Sequence, residues 1–148
     1  MIVDVQTRVN DRCTVIQKWI NLTLDNNQRH PEYRAIADRV SRASSILNSN
    51  LLNAGRPLSE PGSCVGEIAT CGSQSEPGVI HPIFGGGFKY LVCGCWDYRK
   101  GVYRHEISKN GTATCGAPKL VSGQIACKHI LAYMIDLAIK EEADHDNF

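Results

Sequence analysis

Ile125-Ala126-Cys127-Lys128-His129-Ile130-Leu131-Ala132-Tyr133-Met134 sets a thiol and an imidazole two residues apart, directly ahead of an apolar run. Ile130, Leu131, Met134, Leu137 and Ala138 recur at helical spacing. They predict a helix that opens at Ala126 or Cys127 and runs to about Glu142, followed by an acidic tail over 143–148. Inside a helix, residues i and i+2 point apart. Cys127 and His129 therefore meet only if Cys127 lies at or just before the first turn, where the helix dipole also favours thiolate over thiol. Upstream, Cys93-Gly94-Cys95 supplies the complement. In a strand, i and i+2 share a face, so these thiols grip one ion together while Gly94 lets the backbone bend around it. Zinc takes four thiolate and imidazole ligands near a tetrahedron, and four protein ligands make a closed, structural site. An open catalytic zinc needs a general base, and neither H-E-x-x-H nor H-x-E…P-C-x-x-C occurs, so no enzymatic activity is expected.

The remaining cysteines fit the same chemistry. The chain of 148 residues carries seven, Cys13, Cys64, Cys71, Cys93, Cys95, Cys115 and Cys127, an odd number. Its start, MIVDVQTR, lacks the charged and apolar regions of an export signal. Lys128, His129 and Asp136 interrupt the greasiest stretch, Ile125–Ile139, so no membrane span is expected. Metal ligation in an intracellular protein, cytoplasmic or nuclear, is the better reading than a disulfide framework. Cys64, Cys71 and Cys115, with His81 or His105, form a lesser alternative second metal site, buried free thiols being the default. Cys13 and Trp19 lie on a helical stripe and read as core.

Working outward, Val5, Val9, Cys13, Ile16, Ile20 and Leu24 predict a helix over 1–25. Tyr33, Ile36, Ala37, Val40, Leu47 and Leu51 predict a second, closed near Gly55 and Pro57. The pair over 1–55 reads as a helical hairpin that docks a protein partner. Residues 56–87 read as a Gly/Ser/Pro-rich connection with short strands such as Val79–Phe84. Phe88–Cys95 and Val102–Ser108 read as strands around a turn at Asp97–Gly101. Helices, then strands, then a helix give an α+β chain, with a small ββα metal-binding module over 88–142.

The pattern C-x-C followed by C-x-H resembles the SWIM-type zinc finger, whose ligand helix often reads C-K-H-I/L-L-A, as Cys127–Ala132 does throughout. The resemblance covers roughly residues 80–140 and implies a ββα module holding one zinc ion through Cys93, Cys95, Cys127 and His129. It also implies binding to DNA or protein, since SWIM domains occur in chromatin-remodelling ATPases, MuDR-like transposases and small partners of recombinase paralogues. One departure stands out: 31 residues separate Cys95 from Cys127, longer than is usual for the family.

A formal charge of +1 excludes a wholly basic coat protein but hides an uneven distribution. Residues 1–87 balance eight basic against eight acidic side chains, residues 88–128 have a basic surplus of five, and residues 129–148 an acidic surplus of four. In the basic segment Trp96, Tyr98 and Tyr103 interleave with Arg99, Lys100 and Arg104, and Lys109 and Lys119 follow. Aromatic rings among cations suit single-stranded nucleic acid, whose bases stack and whose phosphates pair. The expectation is a non-enzymatic accessory subunit of a DNA- or RNA-handling complex, contacting nucleic acid through Trp96, Tyr98, Arg99, Lys100, Arg104, Lys109 and Lys119. The alternative is a protein-interaction subunit with a purely structural zinc and no nucleic-acid contact.

Overall fold

The computed structural model describes residues 5–54, 66–85, 91–108, 111 and 116–146. It is a mixed α+β structure of four helices and a four-stranded antiparallel sheet among those residues. Helices α1 (Val5–Asn26) and α2 (Tyr33–Asn48) lead into strands β1 (Leu52–Ala54), β2 (Gly66–Gly72), β3 (Ile80–Gly85) and β4 (Leu91–Cys93). Helices α3 (Trp96–Ser108) and α4 (Lys128–Asp146) follow. The sheet is a plain meander in the order β1-β2-β3-β4, with a bulge between Glu67 and Ala69 where β2 meets β3.

Helix α4 is the hub, because its first turns are apolar on more than one side. Leu131, Ala132 and Ile135 pack with Ile16 and Ile20 of α1 and with Ile36, Val40, Ile46 and Leu47 of α2. Ile130 and Tyr133 pack instead with Ile68, Ile83 and Leu91 of the sheet and Tyr98 of α3. The helical pair and the sheet are thus joined through one buried helix. Asn27, 4% exposed at the end of α1, completes the join. Its amide donates to Thr23 O at 2.8 Å and its oxygen accepts the Val121 N–H at 2.9 Å, so a buried polar group is satisfied on both sides.

The second helix ends at Asn48, short of the expected close near Gly55, and Leu52–Ala54 is strand β1 paired with β2. Two further expectations need correction. The stretch expected to be a turn and a strand, Asp97–Gly101 and Val102–Ser108, is the helix α3. Among the described residues the expected hairpin is therefore replaced by strand β4 and helix α3, with α4 following. The β-leaning Tyr, Val and Tyr residues are overruled by capping and tertiary contacts. Cys95 O accepts the Arg99 N–H at 3.2 Å, and its sulfur accepts the Tyr98 N–H at 3.3 Å, which caps the helix. Arg39 then clamps the first turn through two bonds to Asp97, at 2.8 and 3.1 Å, and Glu32 pairs with Arg104. Gly101 lets the helix lie flush against the following loop, since a Cβ there would stand 2.6 Å from Ala117 O. Secondly, Cys13 is exposed, beside Asn48 rather than in the core, with the inward positions of α1 taken by Ile16 and Ile20.

Candidate metal centre

Each half of the site is a turn that ends in a helix. Cys93 closes β4, and the Gly94 N–H donates to Pro82 O at 3.0 Å, holding the knuckle against β3. A Cβ on Gly94 would meet the Pro82 ring at 3.1 Å, so a larger residue would push the ligand pair off the sheet. Cys95 then caps α3. The second half repeats the device: Cys127 precedes α4, its carbonyl accepts the Leu131 N–H at 3.0 Å and its sulfur the Ile130 N–H at 3.4 Å. His129 sits in the first turn. Two helix N-termini thus face one point, and backbone N–H groups donate to two of the sulfurs, as outer-sphere donors do around ligating thiolates.

The four donor atoms of Cys93, Cys95, Cys127 and His129 all lie within 4.8 Å of one another, and all four residues are buried. This cluster can hold a metal ion. His129 turns Nδ1 toward the sulfurs, 3.7 Å from Cys93 Sγ and 4.0 Å from Cys127 Sγ. A tetrahedral zinc, with sulfur at about 2.3 Å and nitrogen at about 2.0–2.1 Å, requires sulfur and nitrogen about 3.6 Å apart. The two His129 pairs stand within a few tenths of an ångström of that spacing, and the widest donor pair, up to 4.8 Å apart, closes by about 1 Å around such an ion. His129 Nε2 is buried with no hydrogen-bond partner, while the His81 ring stands 4.6 Å away, tilted by 37°.

Without an ion, three thiols share too little room for three charges. Hydrogen bonds from Cys127 and Cys93 hold the Cys95 thiol well below its ordinary range. Burial first, then the bonds to Cys93 and Cys95, push Cys127 well above it. Cys93 is lowered by its bond with Cys127 but raised further by Cys95 and burial, ending at about 12. A divalent cation bound by the three sulfurs must displace the thiol protons that burial favours on Cys93 and Cys127.

The other expected residues divide. Trp96 is 64% exposed and Tyr103 60%, both on the outer side of α3 with Arg99 and Lys100. The Arg99 and Lys100 cations lie 5.7 and 5.4 Å from the Trp96 ring centre. Tyr98 belongs to the core instead, with its hydroxyl donating to Leu91 O at 3.3 Å. Arg104 is paired with Glu32, and Lys119 lies half-buried in the loop ahead of α4. Lys109 lies outside the described residues, as do Cys64 and Cys115 of the alternative second site. Its remaining cysteine, Cys71, is buried in β2 opposite His81 and is pushed up to about 11, chiefly by burial, which suits a neutral thiol. His105 lies on α3. Sequence reading missed Arg39, which has no local signal and meets Asp97 from 58 positions away; His81, a candidate only for the second site, stands instead beside His129.

No family model matches the chain, and no curated protein and no solved structure matches it. No helix among the described residues is long and apolar enough to cross a membrane.

Proposed function

We propose that the chain is a non-enzymatic zinc-binding protein, SWIM-like in its ligand pattern, that contacts single-stranded nucleic acid as an accessory subunit of a larger complex. One observation carries the reading: Trp96, Arg99, Lys100 and Tyr103 stand at i, i+3, i+4 and i+7 on α3, the helix capped by a candidate metal ligand. That spacing makes one continuous face. Exposed rings give stacking platforms and the two cations give phosphate contacts. The metal would act structurally, fixing where α3 begins and so where the face points. The outer sides of α1 and α2 are left for a protein partner.

Filter binding of oligonucleotides across a salt series tests this. Replacing Arg99 and Lys100 together by Ala should weaken binding to all sequences alike and flatten the slope of log K against log salt by about 1 to 2. Trp96→Ala should cost about 1–3 kcal/mol on single strands and leave the slope unchanged. Metal content is measured on every variant. A wild-type chain that binds neither strand form near physiological salt, alone or with its partner, would sink this reading in favour of a protein-interaction subunit meeting an acidic partner.

A further inference from the structure

A cleft of about 510 Å³ opens between the turn ahead of α2, the middle of α3 and the loop ahead of α4. No ligand of the candidate metal centre lines it, and no residue of the outer α3 face does. Its volume is in the range of small-molecule sites. Pro31, exposed, and Ile125, half-buried, supply the accessible apolar wall, while Gly101 and Ala117 in the lining are buried. The charged groups are the Arg104 guanidinium and the Lys119 ammonium, against a single carboxylate, Glu32.

That carboxylate is already engaged. One oxygen pairs with Arg104, and the other accepts the Lys119 backbone N–H at 3.2 Å. His30, also in the wall, accepts the Glu32 N–H on Nδ1 at 3.1 Å, which leaves the ring's proton on Nε2 as a donor. A guanidinium has five N–H donors, more than the Glu32 pair uses. The Lys119 ammonium meets no acceptor among the described residues. Donors and positive charge are in surplus, the one carboxylate is engaged, and an apolar wall lies alongside.

We propose that this cleft binds a small organic oxyanion, a phosphate or carboxylate head on a compact apolar body. Arg104 and Lys119 hold the head, and Pro31 and Ile125 take the body. The site is separate from the α3 outer face, so either can fail alone.

The test is an NMR titration of the full, metal-loaded chain with phenyl phosphate, benzoate and the neutral benzyl alcohol. Saturable amide shifts at Glu32, Arg104 and Lys119 are expected with an anion and not with the alcohol, and the tighter anion identifies the head. Lys119→Gln should weaken that binding by about ten- to a hundredfold, the loss of one charge-assisted bond. Ile125→Trp keeps every charge but fills the cleft, and should abolish binding. Equal shifts with benzyl alcohol, no shifts with either anion, or unchanged affinity in a folded Lys119→Gln chain would overturn the proposal.

Discussion

Cys71 and Cys95 are both buried, yet their chemistry is opposite. Cys71 stands in β2 with its largest influence the loss of water, so its thiol is pushed up to about 11. Cys95 receives hydrogen bonds from two other thiols, which outweigh burial and drive it down. Neighbours, not depth, decide which sulfur ligates. Peptide mapping after mild alkylation should therefore find exposed Cys13 modified and Cys71 untouched, with Cys93, Cys95 and Cys127 protected until a chelator is added. Alkylation of those three without a chelator would refute a bound ion. The pH dependence follows from the same shifts. Without metal, the raised Cys93 and Cys127 thiols stabilise the fold below the ordinary thiol range of about 8.5, and that contribution is lost as pH rises through their folded values. With metal the sign reverses, since both protons must leave. Apparent metal affinity should fall by up to about a hundredfold per pH unit on acidification, measured by chelator competition between about pH 6 and 8.

Among the elements, β1 reads in sequence as the end of the second helix and α3 as a hairpin, and on α3 the functional proposal now rests. The metal-ligand pairs and the start of α4 were legible because their constraints are local: a C-x-C on a strand end and a C-x-H ahead of an apolar period. The three long helices announced themselves by period as well. Nothing near Asp97 or Gly101 reveals that Arg39 and Ala117 will meet them, so a basic, aromatic stretch read as a hairpin. Gly101→Ala separates local from tertiary preference. Alanine favours a helix by about 1 kcal/mol. Its Cβ would stand 2.6 Å from a backbone oxygen and 2.9 Å from the Ala117 side chain, however, neither of which is a flexible tip. The clash should win, destabilising the chain by about 1–3 kcal/mol in urea unfolding. Arg39→Ala removes a bidentate pair whose guanidinium side chain is 19% exposed, and should cost about 1–2 kcal/mol. A gain in stability from Gly101→Ala would mean that α3 does not lie against Ala117.

At the scale of the molecule, the helical pair and the metal centre cannot be treated as separate bodies. Leu131, Ala132 and Ile135 follow His129 within two turns and are buried against α1 and α2, while Ile130 and Tyr133 face the sheet. Removing residues 1–55 would bare that side of α4, and each large aliphatic chain returned to water loses about 1.5–3 kcal/mol. The truncated chain should therefore fail to hold the ion or aggregate, rather than survive as an isolated zinc module. A milder test uses the two tryptophans, Trp19 in α1 and Trp96 at the head of α3. Trp96→Phe leaves a reporter on the helical pair, and Trp19→Phe leaves one beside the metal ligands. If one core joins them, both reporters should follow the same urea transition, as two-state unfolding demands. A chelator should shift both to lower urea together, because binding of a structural zinc is folding free energy on the order of 10 kcal/mol. Leu131→Ala, at the contact between the halves, should lower both midpoints by an equivalent of about 2–5 kcal/mol. A chelator that moved only the Trp96 transition would show that the metal centre unfolds alone, and that α4 does not couple it to the helices at its back.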